Sequence, residues 1–169
     1  EPSFGDHTGG TSLTVTGTDF PTSGDDVFCV FRSNNDVVSS SAANVLDSST
    51  IFCDSPSSIL EEDEEEVEVS ISLNNEEISE SNGIFKFVLR PILDEEVRPN
   101  HGTIGTRVLV SGTNFVLSDK ITCRFGLVET LASYVNETLL ECFAPASTSD
   151  ENNVMISVSF NQVDFIYSG

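Results

Sequence analysis

Four cysteines, Cys29, Cys53, Cys123 and Cys142, are the residues of this 169-residue chain best equipped for chemistry. Cysteines ligate metals, attack as thiolates or cross-link. None of the four sits in a Cys-x-x-Cys pair, and no histidine stands near them at zinc-ligand spacing, so a metal knuckle is not indicated. Cross-linking is left, with four buried free thiols as the alternative. Disulfides persist only outside the reducing cytosol, so the cysteines bear on the compartment as well as the fold.

Two further features carry chemical meaning. The run Glu61-Glu62-Asp63-Glu64-Glu65-Glu66 is followed by Glu68. Carboxylates collect calcium, which takes about six to eight oxygens. A dedicated site spaces its ligands around a turn-making residue, and this run does not. It reads as a solvated, self-repelling loop between Pro56 and a strand starting at Val67, with weak cation condensation as the lesser alternative. Asn136-Glu137-Thr138 is the one Asn-x-Ser/Thr sequon and a candidate glycosylation site. His7 and His101 are isolated, each in a turn near a domain end. There is no Gly-x-Ser-x-Gly, no Ser/His/Asp set and no glycine-rich phosphate loop. The chain reads as non-enzymatic, and no cofactor is implied.

Charge excludes partners. Twenty-eight acidic residues face seven basic ones, a formal net charge of −21. Nucleic-acid binding needs clustered Lys and Arg to release counterions, and anionic membranes repel the same field. Hydrophobic residues make up 38% of the chain. That is enough for packed cores, yet no stretch approaches the roughly 20 apolar residues of a spanning helix. The N-terminus has no basic-then-apolar signal segment; an extracellular protein of this kind would carry its signal upstream.

The elements that position the cysteines come in two copies. Leu13-Thr14-Val15-Thr16-Gly17-Thr18-Asp19-Phe20 matches Val108-Leu109-Val110-Ser111-Gly112-Thr113-Asn114-Phe115. Val27-Phe28-Cys29-Val30-Phe31 matches Ile121-Thr122-Cys123-Arg124-Phe125, and Ile51-Phe52-Cys53 matches Leu140-Glu141-Cys142. Val67–Asn74 matches Val154–Asn161. The segments alternate apolar and polar: Val67, Val69, Ile71 and Leu73 point one way, Glu68, Ser70 and Ser72 the other. Period two with β-branched and aromatic residues is the strand signature, and several short strands per repeat with Gly, Asn and Ser between them indicate a sandwich. Each cysteine falls on the inward parity of its strand. Of three pairings, the economical one lies within the copies, Cys29–Cys53 and Cys123–Cys142.

These residues resemble the IPT/TIG family. The pattern is Pro-x-x-Gly, a Gly-Thr step, a strand ending in Gly-x-x-Phe, then Cys-x-Phe, then x-Cys-x-x-Pro. It is fullest in copy two, at Pro99, Gly102, Gly105-Thr106, Gly112-Thr113-Asn114-Phe115, Cys123-Arg124-Phe125-Gly126, Cys142 and Pro145. Copy one departs from it: Arg32 stands where copy two has Gly126, and no opening strand precedes Pro2. The expected architecture is all-β, two tandem immunoglobulin-like β-sandwich domains, each with one intradomain disulfide. Domain 1 spans 1–88 with its first strand incomplete, and domain 2 spans 89–169. The resemblance implies a structural or adhesive repeat module of a larger extracellular or cell-surface protein, in a stiff stalk or a filament. Accessory domains of a secreted carbohydrate-active enzyme are the alternative. Expected partners are neighbouring repeats or identical subunits, with neither nucleic acid nor membrane insertion.

Overall fold

The computed structural model describes residues 1–22, 26–34, 36–58, 64–74, 77–80, 83–146 and 153–167. Its regular elements are all strands. The chain divides into two compact units, Glu1–Leu89 and Arg90–Gly169.

Unit 1 contains β1 (Phe4–Asp6), β2 (Ser12–Thr16), β3 (Val27–Ser33), β4 (Asp36–Asp47), β5 (Thr50–Asp54), β6 (Glu64–Leu73), β7 (Glu77–Ile78) and β8 (Gly83–Val88). Hydrogen bonding orders them β1-β8-β6-β3-β4-β5-β2, with β7 on β6. The long β4 turns this one sheet into a sandwich. Its first half pairs with β3, from Asp36↔Ser33 to Ala42↔Phe28. Its second half pairs with β5, from Ala43↔Cys53 to Asp47↔Thr50. A strand that changes partner half-way carries the sheet around a corner and lays β5 and β2 over β3 and β6. Between the layers, Leu13, Val27, Cys29, Phe31, Ile51, Cys53, Val67, Phe85 and Phe87 form one buried cluster. The three rings are the largest fully buried side chains among the described residues. Phe85 meets Phe31 and Phe87 edge-on, with centroids 6.3 and 5.1 Å apart. Burying each is worth about 1.5–3 kcal/mol relative to exposure.

Unit 2 contains β9 (Ile92–Leu93), β10 (Arg107–Thr113), β11 (Thr122–Phe125), β12 (Val128–Leu131), β13 (Ser133–Asn136), β14 (Leu139–Phe143), β15 (Ile156–Ser159) and β16 (Phe165–Tyr167). Two four-stranded sheets result, β13-β14-β10-β9 and β12-β11-β15-β16. Strands β12 and β13, parted by Ala132 alone, take the place that β4 holds in unit 1. Val108, Val110, Phe115, Ile121, Leu140, Val158 and Phe160 are buried with the cysteines.

The Gly-Thr-Asx-Phe motif has a steric cause. A Cβ on Gly17 would stand 2.7 Å from the Phe20 ring, and one on Gly112 would stand 2.7 Å from the Phe115 ring and collide with the Ile92 carbonyl oxygen. Asp19 and Asn114 have φ of 60° and 59°, the left-handed region that Asn and Asp enter more readily than other side chains. The turn thus folds a phenylalanine back onto the glycine that ends the strand.

One expectation changes, and one strand face proves more covered than alternation alone implies. The acidic run does not end before a strand at Val67, because β6 begins at Glu64. Glu64, Glu65 and Glu66 pair with Val88, Phe87 and Lys86 of β8. Strand β8 extends far enough to offer backbone partners, and Lys86 lies across the glutamates to offset their repulsion. Glu61, Glu62 and Asp63 lie outside the described residues. Secondly, the polar parity of the central strands is buried too. Ser70, Ser72, Ser157 and Ser159 are each at most 2% exposed, so small hydroxyls serve here as close-packing residues.

Candidate functional site

The bridges are Cys29–Cys53 and Cys123–Cys142, with Cα atoms 6.4 and 6.1 Å apart. Each joins opposing layers: β3 to β5 in unit 1, β11 to β14 in unit 2. Strand parity aims all four sulfurs into the cores, where the cysteines are buried. No free cysteine remains, so the chain offers no thiol nucleophile and no thiolate ligand.

The described part of the acidic run is a charged stripe on the outer face of unit 1. Lys86 Nζ donates to Glu64 Oε2 at 3.1 Å and lies 3.9 Å from Glu66 Oε1. Arg32 Nη2 donates to Glu68 Oε2 at 3.0 Å. Glu65 lies on the other parity, where its Oε2 accepts from Ser58 Oγ at 2.8 Å. These carboxylates are spent on neighbours. Among the described residues, no group of three or more His, Cys, Asp or Glu is arranged to hold a metal ion. Neither histidine joins a set: His7 Nδ1 lies 3.3 Å from Asp6 Oδ1 without a hydrogen bond, and His101 Nδ1 is 3.0 Å from Asn100 Oδ1.

Asn136 ends β13 and opens the turn into β14. Its Oδ1 accepts from the Thr138 backbone N–H and the Thr138 hydroxyl, both at 2.9 Å. Unit 1 builds the same turn from Asp47, whose Oδ1 accepts from the Ser49 N–H and hydroxyl at 2.8 Å each. The Ser49 hydroxyl, then its N–H, hold the Asp47 carboxyl below its ordinary value of 3.8, because both bonds favour the charged form. Glu141 is likewise held below 4.5, first by its hydrogen bond to the Arg107 guanidinium.

Two features lie beyond the sequence reading. On the outer face of unit 2, Arg124 donates through Nε and Nη2 to Glu129 Oε1 at 3.0 and 2.7 Å. Its guanidinium carbon stands 3.4 Å from the Phe165 ring centroid. The register sets Glu129, Arg124, Ser157 and Tyr167 in one row across four strands, which explains how Ser157 is covered. At one end of unit 2 a cleft of about 670 Å³ is lined by Val97, Pro99, His101, Phe125, Val128 and Ile156, among others. Its rim carries Ile104, Leu127 and Met155 at 71, 99 and 64% exposure. The signal for the first was the opposite charges at 124 and 129, five residues apart across a hairpin. The second had none, since its lining comes from strand ends and loops far apart in the chain.

Residues 95–168 match the family model of the IPT/TIG domain, and residues 10–85 that of the anthrax receptor extracellular domain. The Gly-Thr-Asn-Phe and Cys-Arg-Phe-Gly segments that carry the resemblance both lie inside the span matched by the IPT/TIG model. No curated protein sequence matches. Among solved structures, the extracellular region of plexin A4, domains 1 to 10, superposes with TM-score 0.55 at 21% identity, over 96% of this chain and 14% of that one. Another structure of that region, with domains 1 to 8, aligns with TM-score 0.47 at 18% identity, over 98% of this chain and 16% of that one. The chain thus spans a small fraction of the plexin length, and the first likeness supports the all-β tandem fold.

Proposed function

We propose that this chain is a non-catalytic structural and adhesive module of a larger extracellular or cell-surface protein, serving as part of a stiff stalk or surface filament. One observation carries the reading. Two sandwiches with the same strand framework are each cross-linked through the core, and only Leu89-Arg90-Pro91 separates β8 from β9. Three residues with a proline are too short and too restricted to act as a flexible Gly/Ser tether. The disulfides favour an oxidising compartment, and the likeness to the anthrax receptor extracellular domain and to the plexin A4 extracellular region supports the same reading. The partners that fit are neighbouring repeats or identical subunits. A charge of −21 opposes nucleic acid, and no helix among the described residues is long and apolar enough to cross a membrane.

The test is a distance distribution between spin-labelled unnatural amino acids at the exposed positions 46 and 127. A narrow distribution supports the stalk. One as broad as that of a flexible tether overturns it. Alkylation of the native secreted chain checks the compartment: no thiol should react before reduction, and four reactive thiols would overturn the extracellular assignment.

A further inference from the structure

We propose that Asn136 is N-glycosylated and that its glycan guards the open edge of β13 against pairing with another chain. This rests on the extracellular reading above, because the glycosylation machinery is met only on the secretory route. Four observations converge. Asn136-Glu137-Thr138 has the acceptor sequence. Asn136 is exposed. Its Oδ1 is engaged by Thr138, while its Nδ2 has no hydrogen-bond partner among the described residues, leaving the nitrogen available for bond formation. And β13 is the outermost strand of its sheet, with β14 its sole neighbour.

An open edge presents unpaired N–H and C=O groups to any passing strand, and native sheets blunt such edges with charge or bulk. Beside Asn136, Val135 is 44% exposed on this edge. Unit 1 has the same edge in the second half of β4, which pairs only with β5. There the exposed apolar residue is Leu46, at 65%, and the residue after it is the carboxylate Asp47, in the same turn. The equivalent of that charge in unit 2 is a neutral amide. A bulky hydrophilic glycan on Asn136 supplies what Asp47 supplies in unit 1.

The chemistry is a group transfer from a lipid-diphosphate-linked oligosaccharide. Nδ2 forms a bond to C1 of the first sugar and gives up one proton. The bond from C1 to the diphosphate oxygen breaks, and the lipid diphosphate leaves.

The experiment is secretion of the whole chain, behind a signal peptide, from a eukaryotic host. Peptide mass before and after enzymatic deglycosylation is expected to show Asn136 occupied, and Asn136→Gln and Thr138→Ala empty. Sedimentation should then show self-association of the empty Asn136→Gln protein about tenfold tighter than that of the glycosylated one. Asn136→Asp, which restores the unit 1 charge, should stay monomeric without a glycan. A secreted, fully disulfide-bonded chain with Asn136 unmodified overturns the site. Occupied Asn136 with an equally monomeric Asn136→Gln protein overturns the guarding role. Free thiols in the secreted chain would instead overturn the extracellular reading on which both rest.

Discussion

Removing the Cys123–Cys142 bridge should cost unit 2 much of its stability, and the size of the loss follows from the chain. The bridge closes a loop of sequence separation 19, against 24 for Cys29–Cys53. In the chain-entropy account these loops are worth about 3.2 and about 3.5 kcal/mol, so the two losses should agree within a few tenths. Cys123 and Cys142 are fully buried. Reduction of the wild type keeps both sulfurs in place and isolates the loop term, whereas Cys123→Ala with Cys142→Ala adds a packing cost. The chain has no tryptophan and two tyrosines, Tyr134 and Tyr167, both in unit 2. Tyrosine fluorescence therefore reports unit 2, while far-ultraviolet circular dichroism reports all strands. With a urea slope of about 1–2 kcal/mol per molar for a unit of this size, reduction should lower the tyrosine midpoint by roughly 1.5–3 M. A loss under about 1 kcal/mol would refute the argument, because it would mean the reduced chain is already constrained or the bridge contributes little.

Other outcomes follow from the same geometry. Gly112→Ala drives a Cβ into the Ile92 carbonyl and the Phe115 ring and should cost about 1–3 kcal/mol. Gly83→Ala meets nothing within 4 Å and should stay within about 0.5 kcal/mol; urea melts of the pair check both. The depressed Glu141 carboxyl contributes stability that is present above its unfolded value and is lost as pH falls through the folded one. Glu141→Gln should accordingly flatten that acid limb in the tyrosine-monitored thermal midpoint; an unchanged limb would show that Arg107 does not hold the group. Arg124→Ala loses the stack on Phe165 and the bonds to Glu129 and should cost about 1 kcal/mol or more. Arg124→Lys keeps the charge without the planar guanidinium and should recover less than half, read as thermal midpoints.

Local pattern carried some features and not others. Cys29 and Cys123 share parity with Val27, Phe31, Ile121 and Phe125, and a strand has only two faces, so burial of the sulfurs was legible. Glu64–Glu66 misled for a physical reason. Their composition is that of a loop, but strand formation there depends on backbone partners and on Lys86, about twenty residues further on. The serines mark a second limit of local pattern. Alternation separates Ser70 and Ser72 from Val67, yet says nothing of whether the second face is covered. In unit 2 that cover comes from Arg124, held by Glu129 and stacked on Phe165, three residues on three strands.

Local pattern was enough for the repeat, the all-β class and the inward parity of the strands, because strand parity and turn sterics act over a few neighbouring residues. The steric demand at Gly17, set by the Phe20 ring three residues on, is of that kind. The tertiary structure alone decided that β4 carries one sheet around a corner in unit 1, while its counterpart splits into β12 and β13 and leaves two sheets in unit 2. It alone placed Asn136 and Asp47 in matching turns on matching edges. Pairing and edges are relations between distant segments, set by which strands find hydrogen-bond partners, and no local pattern encodes them.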